Sequence, residues 1–335
     1  MGDTMSALTT TAVGSYAKPD YLVKARNAFA RGEISRQELQ ELERRATEYW
    51  IRTQEKVGLD VLVHGEMERG DMVAYFAGEP GGRTIGGMKL GGLVRSYGNR
   101  YYHKPIIYDK LTWPGPMTVD IWRYAQSLTD RPVKGMLTGA YTMVEWSFDE
   151  YYPSRREAVL DMARVIRREV EELVKAGAKY IQIDEPAIHT RPEEDFDLAV
   201  EAMRLTVEGI DCEFHTHICY GEVEKIYPDM LRLPVKQIHL AFKNTDWQYL
   251  KLLEQHAYDS DKDLGVGVTD VHTRFIETVE EVKEGIQRVL KLLPPERVWV
   301  LPDCGLKTRT VEETEAKLQV MVDAVREIRR ELEIE

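Results

Sequence analysis

Positive charge is in deficit in this chain of 335 residues: 45 Lys and Arg stand against 57 Asp and Glu, for a formal charge of −12. Binding nucleic acid through its phosphates needs clustered cations, so that class of function is set aside. No apolar run approaches the roughly 20 residues that cross a bilayer. The opening MGDTMSALTTTAVGSY has neither the basic start nor the apolar centre of a signal peptide. A cytoplasmic location without membrane attachment is therefore expected. Cysteine is scarcer still, with only Cys212, Cys219 and Cys304, and an odd, sparse set argues against a disulfide framework. Cys212 opens the strand-like run CEFHTHI and reads as an inert buried thiol. No GxGxxG follows the first strand, which removes the most familiar use of an open doubly wound sheet. Internal repeats, low-complexity tracts and interdomain linkers are also lacking.

What is present is alternation. Eight β-like runs are separated by helical patterns: TTAVGS (10–15), VLVHGE (61–66), VKGMLTG (133–139), YIQIDE (180–185), CEFHTHI (212–218), KQIHLAF (236–242), LGVGVTD (264–270) and VWVLPD (298–303). In the helix SRREAVLDMARVIRREVEELVKAG, Ser154 and Glu157 form a capping box. Val159, Met162, Ile166, Val170 and Leu173 recur at helical spacing, and Gly177 supplies the stop. About eight strand–helix units predict a parallel sheet closed into a (β/α)8 TIM barrel, one domain over 1–335. Two segments break the pattern. Residues 20–58 hold a helical insertion after the first strand, and 78–118 form a long glycine- and aromatic-rich excursion, longer than most connections.

Barrel active sites sit at the C-terminal ends of the strands, and most of this chain's acid, imidazole and thiol groups outside helix surfaces fall there. In order they are Gly14-Ser15, His64-Gly65-Glu66, Asp184-Glu185, the His215/His217/Cys219 set, His239, Asp270 with His272, and Asp303-Cys304-Gly305. His217 and Cys219 flank Ile218, so an extended backbone points both the same way. Cys304 from the eighth strand would complete a triad of imidazole and thiolates, the ligand types that suit zinc. Any one of these groups has a structural excuse, since a strand-end Asp often caps a helix and a lone His is usually just hydrogen-bonded. Their convergence on one mouth is what points to chemistry.

DVLVHGEMERGDMVAYF, YAQSLTDRPVKGMLTG, YIQIDEPAI, HTHICY and LPDCGLKTR, in this order, resemble the catalytic half of cobalamin-independent methionine synthase, from about Thr10 to the last helix. The resemblance implies a (β/α)8 barrel with one zinc that binds the homocysteine thiolate, which takes a methyl group from 5-methyltetrahydrofolate. It implies His217, Cys219 and Cys304 as zinc ligands. Val13, Gly14, Ser15, Glu66 and Asp184 would hold the amino-acid thiol. Arg100, Tyr101 and Trp146 would touch the methyl-pterin, and His272 would protonate the departing amine.

The sequence departs from that family pattern in three places. The family's zinc-binding glutamate of the sixth strand falls on Ala241, or on Leu240 if the alignment slides by one, leaving substrate, water or His239 for the fourth position. A glutamate at the substrate's amino group is Thr190. The N-terminal half of the long family members has no counterpart in the match. Two other enzyme readings therefore stand beside the first: a corrinoid-dependent methionine synthase, served by a corrinoid or another methyl-donor protein, and a thiol alkyltransferase like the epoxyalkane:coenzyme M transferases. A non-catalytic zinc- or ligand-binding barrel is a third, against which the retained triad speaks. Small molecules, a thiol and a methyl donor, are the expected partners, and the oligomeric state is not set by the sequence.

Overall fold

The computed structural model describes residues 7–80, 83–95, 101–219, 221–258 and 260–334. In chain order its elements are β1 (Thr9–Thr10), α1 (Asp20–Ala30), α2 (Arg36–Val57), β2 (Leu62–Val63), β3 (Gly86–Arg95), β4 (Tyr101–Thr112), α3 (Val119–Ser127), β5 (Val133–Thr138), α4 (Ala140–Glu145) and β6 (Phe148–Asp149). There follow α5 (Arg155–Ala176), β7 (Tyr180–Asp184), α6 (Pro192–Val207), β8 (Glu213–Ile218), β9 (Gln237–Ala241), α7 (Tyr249–Gln255), β10 (Asp263–Gly267), α8 (Val279–Leu290), β11 (Val298–Leu301) and α9 (Val311–Leu332). Eight parallel strands lie in the order β1-β11-β10-β9-β8-β7-β5-β2. The two ends of that order meet. Ser15 and Gly65 form a parallel bridge, and the amides of Asp60 and Val61 donate to the Thr10 carbonyl at 3.1 Å. The sheet is thus a closed barrel, as the strand–helix alternation predicts, and each of the eight anticipated runs supplies one of its strands.

The local signals act as expected, with one difference. Full capping boxes open α2, α8 and α9 at Ser35, Thr278 and Thr310. At α5 the Ser154 hydroxyl accepts from the Glu157 amide, but the returning Glu157 carboxylate meets the Ser154 hydroxyl at 3.2 Å rather than its backbone. Only half of the predicted box is therefore formed. Gly177 ends α5 at φ +107°, a left-handed conformation that glycine adopts without strain.

The insertion after the first strand is α1 and α2. The latter is tied to the barrel by a buried amide: Gln54 donates to the Val63 carbonyl at 2.8 Å and accepts from the Val63 amide at 2.9 Å. The 78–118 excursion is an antiparallel hairpin, β3 with β4, to which β6 adds a third strand in register Ile106↔Phe148. Its return is anchored by buried Glu169 of α5, whose carboxylate accepts from the Trp113 indole and from the amides of Met117 and Thr118.

A second buried charge holds the loop that follows β10. Glu277 and Lys317 form an ion pair of 2.9 Å with both side chains fully buried. Glu277 also accepts from the Asp270 amide at 2.7 Å, and Lys317 donates to the Phe275 carbonyl. Removing one partner leaves an uncompensated buried charge, which costs about 3–5 kcal/mol. Lys317→Met should therefore lower stability by about that amount in urea titration. The Lys317→Met, Glu277→Gln double variant should recover much of the loss.

Candidate metal centre

Parallel register places the triad. β8 pairs with β9 so that His217 lies opposite His239, and β9 pairs with β10 so that His239 lies opposite Gly265. His217 points inward and is 2% exposed. Just past the last ladder pair, the chain turns at Cys219. Across the barrel β11 ends at Leu301, and Cys304 follows on the loop. The ligand atoms of His217, Cys219 and Cys304 all lie within 4.8 Å of one another, the one such cluster of imidazole, thiol or carboxylate groups among the described residues. His217 Nε2 is 3.4 Å from Cys304 Sγ, although 87 residues separate them.

Neighbouring groups hold the two cysteine loops in place. Asp303 is fully buried and accepts from the amides of Lys243 and Asn244 at 3.1 and 2.6 Å. It therefore ties the loop after β9 to the one carrying Cys304. Burial pushes its carboxyl well above the usual range, against those two amides. In the same way the acidic pair after β7 is divided. Glu185 is buried and accepts from the Tyr141 and Thr142 amides at the start of α4, and burial pushes its carboxyl up to about 7. Asp184 instead faces the mouth, half-buried.

The predicted substrate residues come together around the triad. Gln182 donates to both the Val13 carbonyl at 2.8 Å and Asp184 Oδ1 at 2.6 Å. A Cβ on Gly14 would lie 3.4 Å from Glu66 Oε1. A Cβ on Gly305 would lie 2.0 Å from the Ser15 hydroxyl, so glycine beside Cys304 lets the first and eighth strands' loops touch. Glu66 sits at φ +58°, an uncommon conformation for a non-glycine residue. It is held there by Arg69, which donates to its carboxylate at 3.2 Å and to the Met136 carbonyl at 2.9 Å. Thr190, by contrast, donates to the Ala187 carbonyl within its own turn.

Other predicted residues lie further out or elsewhere. Ala241 is buried on β9 and offers no donor atom. His272 is on the exposed turn after β10, its amide donating to Asp270 Oδ1 at 2.8 Å. Tyr101 begins β4 and is 67% exposed. Trp146 ends α4, two residues before the β6 strand that joins the hairpin sheet, so it and Tyr101 belong to one small sheet and its edge. Arg100 lies outside the described residues. Cys212, expected to be buried, is half-buried just before β8; its thiol donates towards the Ala178 and Lys179 carbonyls, and burial pushes it up to about 12.

Three participants were not foreseen. Lys134 is fully buried in the barrel interior and donates to the Ala12 carbonyl and Gln182 Oε1 at 2.9 and 2.5 Å. A lysine inside the otherwise apolar run VKGMLTG was the available signal. Burial lowers its ammonium pKa and raises that of Asp184, with His217 the strongest influence opposing the latter. Arg69 and the pairing of His217 with His239 had no sequence signal. His217 Nδ1 is 2.6 Å from His239 Nδ1, with the rings stacked at 4.7 Å and 26°. Burial acts to lower the His217 pKa, but the Cys304 sulfur and Asp184 outweigh it and leave it raised.

A closed barrel presenting one imidazole and two thiols at its C-terminal mouth is the architecture of a barrel enzyme, with a donor set that could hold a soft metal ion. Residues 8–327 match the family model described as the cobalamin-independent synthase catalytic domain, and the chain belongs to that family and is a methyltransferase. It is 41% identical over 327 residues to a methionine synthase of Saccharolobus solfataricus, covering 97% of this chain and 96% of that protein. It is 38% identical over 333 residues to a methionine synthase of Sulfolobus acidocaldarius, covering 99% and 95%. The B12-independent methionine synthase of Shewanella sp. W3-18-1, solved in complex with selenomethionine, has the same fold. Its TM-score is 0.86 at 24% identity, covering 98% of this chain and 99% of that one.

The triad carries a pH signature. The hydrogen bond with the Cys304 sulfur, then burial, pushes the Cys219 thiol well above its ordinary value. Metal ligation needs thiolates, so protons compete with the metal and affinity rises with pH. Loading the metal-free protein near pH 7 should release about two protons from the thiols and a further fraction from His217, whose pKa is raised. Affinity should fall by up to about a hundredfold for each unit of acidification in that range. Calorimetry in buffers of different ionisation enthalpy measures the release, and Cys219→Ser should reduce it by about one proton while weakening binding.

Proposed function

We propose that this chain is a zinc-dependent thiol S-methyltransferase that makes methionine from homocysteine, with a methyl-pterin of the 5-methyltetrahydrofolate type as donor. The observation that carries the reading is the cluster of buried His217 with half-buried Cys219 and Cys304, ligand atoms within 4.8 Å of one another, set in a chain of this family. One imidazole and two thiols are the donor set zinc prefers, with a coordination position left for substrate. Bound there, zinc would lower the pKa of an incoming thiol and so supply a thiolate at neutral pH.

The remaining work falls to the protein's own groups. Asp184 and Glu66, both near the 13–15 segment, are suited to the substrate's ammonium group, and that segment to its orientation. The oriented sulfur attacks the methyl carbon in line with the breaking bond to the pterin nitrogen. Sulfur gains the methyl, and the nitrogen keeps the bonding pair and must gain a proton. His272 is assigned to deliver it, from a turn that Asp270 braces. Tyr101 and Trp146 would hold the pterin, with Arg100 assigned to it from the sequence alone. The whole of 1–335 would then act as one catalytic unit.

Ala241 leaves the site one carboxylate poorer than the family pattern. Two thiolates neutralise a divalent cation, so an incoming thiol would ionise at lower pH and yield a weaker nucleophile. Such an enzyme relies on a well-activated donor, which keeps a corrinoid donor as the second reading. Asp184→Asn should raise KM for homocysteine at least about tenfold while leaving zinc content unchanged. Trp146→Ala should raise KM for the pterin and not for the thiol. A donor-by-thiol activity matrix with metal analysis on the purified protein tests the whole reading. Transfer from methylcobalamin with none from the methyl-pterin would replace the donor assignment, and absence of bound zinc would overturn the reading itself.

A further inference from the structure

A metal-binding histidine must present a lone pair from one ring nitrogen, and its other nitrogen then carries a proton that needs an acceptor. That acceptor is usually a carboxylate, a backbone carbonyl or water. In this chain the nitrogen of His217 nearest the thiols is Nε2, 3.4 Å from Cys304 Sγ. Its other nitrogen, Nδ1, faces neither a carboxylate nor a carbonyl but the Nδ1 of His239, 2.6 Å away.

Two ring nitrogens at that distance cannot both hold protons, nor can both hold lone pairs. With the His217 lone pair on Nε2, its proton is on Nδ1 and is donated to His239. The His239 lone pair is then on Nδ1 and its own proton on Nε2. We propose that His239 is the positioning residue of the metal centre, a neutral imidazole that accepts from His217 and so fixes its tautomer and ring direction, rather than a fourth ligand.

The fold builds this pairing in. His217 and His239 face each other across the β8–β9 register, and residues so paired lie about 4.8 Å apart on one face of the sheet. That spacing stacks their rings at 4.7 Å. The register partner of His239 on β10 is Gly265, where a Cβ would come within 2.8 Å of the His239 Cβ and 3.0 Å of its Cα. Only a residue without a side chain leaves His239 where it is. The His239 lone pair that could reach a metal is already engaged by His217, and the ligand cluster does not include it. A neutral acceptor also adds no charge to a site whose carboxylate position is Ala241, whereas an acidic acceptor would.

The inference rests on the zinc reading above, and its test separates the two. An asparagine places Oδ1 about where His239 has Nδ1 and can accept the same proton, whereas leucine cannot. Metal-free and zinc-loaded wild type, His239→Asn and His239→Leu are compared by chelator competition, with thermal unfolding of the metal-free proteins alongside. His239→Leu should bind zinc about ten- to a hundredfold more weakly, and His239→Asn within about threefold of wild type. Equal zinc affinity in His239→Leu and wild type, or equal weakening in both variants, overturns the inference while leaving the zinc reading in place. Failure of the wild type to bind zinc overturns both.

Should His239→Leu not fold, wild type alone decides. Long-range proton–nitrogen NMR of the cadmium-113-loaded protein should show metal coupling at His217 Nε2, a proton on His217 Nδ1, and His239 protonated at Nε2 without metal coupling. Cadmium coupling to either nitrogen of His239 makes it a ligand and refutes the assignment.

Discussion

Closure of the parallel sheet is the constraint on which the site depends. Register between neighbouring strands is set when the ends of the order, β1 and β2, meet at the Ser15–Gly65 bridge. Once it is set, every inward residue has a fixed neighbour at a fixed height. His217 is thereby set against His239, and His239 against Gly265. The loop beyond β11 is left to bring Cys304 over the same point. No ligand of the triad is held by its own local structure alone. A one-residue slip would turn His217 and His239 to the outer face.

Several of the polar groups inside the barrel are spent on holding its backbone. Lys134 and Gln182 bind backbone carbonyls of the first strand's end, bracing the segment assigned to the substrate. Asp303 and Glu185 are buried but spend their oxygens on backbone amides, and so hold loops rather than ligands. Asp184 accepts from Gln182 and is only half-buried. The division within the Asp184-Glu185 pair falls at the strand's end: Asp184 closes β7, and Glu185, just beyond it, turns to the start of α4.

Outside the barrel proper, the hairpin of β3 and β4 makes the mouth more than a rim. By pairing with β6, it joins the edge that carries Trp146 to the excursion that carries Tyr101. A flat conjugated donor and a small thiol call for different surfaces, one aromatic and broad, the other narrow and charged. Under the proposed function the hairpin sheet would serve the donor, and Val13–Ser15, Glu66 and Asp184 would serve the thiol.

The eight strands and their helices were legible because apolar periodicity, caps and glycine stops are local, and the barrel followed from their number and alternation. The His217 and Cys219 pair was legible for the same reason, since two residues on a strand share a face. Cys304 was reached from its place at the end of the eighth strand run and from the family resemblance, not through spacing, because a contact between residues 87 apart depends on closure. The His217–His239 hydrogen bond, the clearance provided by Gly265, the burial of Lys134 and the grip of Arg69 on Glu66 could be decided only in three dimensions. Each depends on which residue of one strand stands opposite which residue of another. Local sequence specifies the direction a side chain leaves its strand, and register across the closed sheet specifies what it meets.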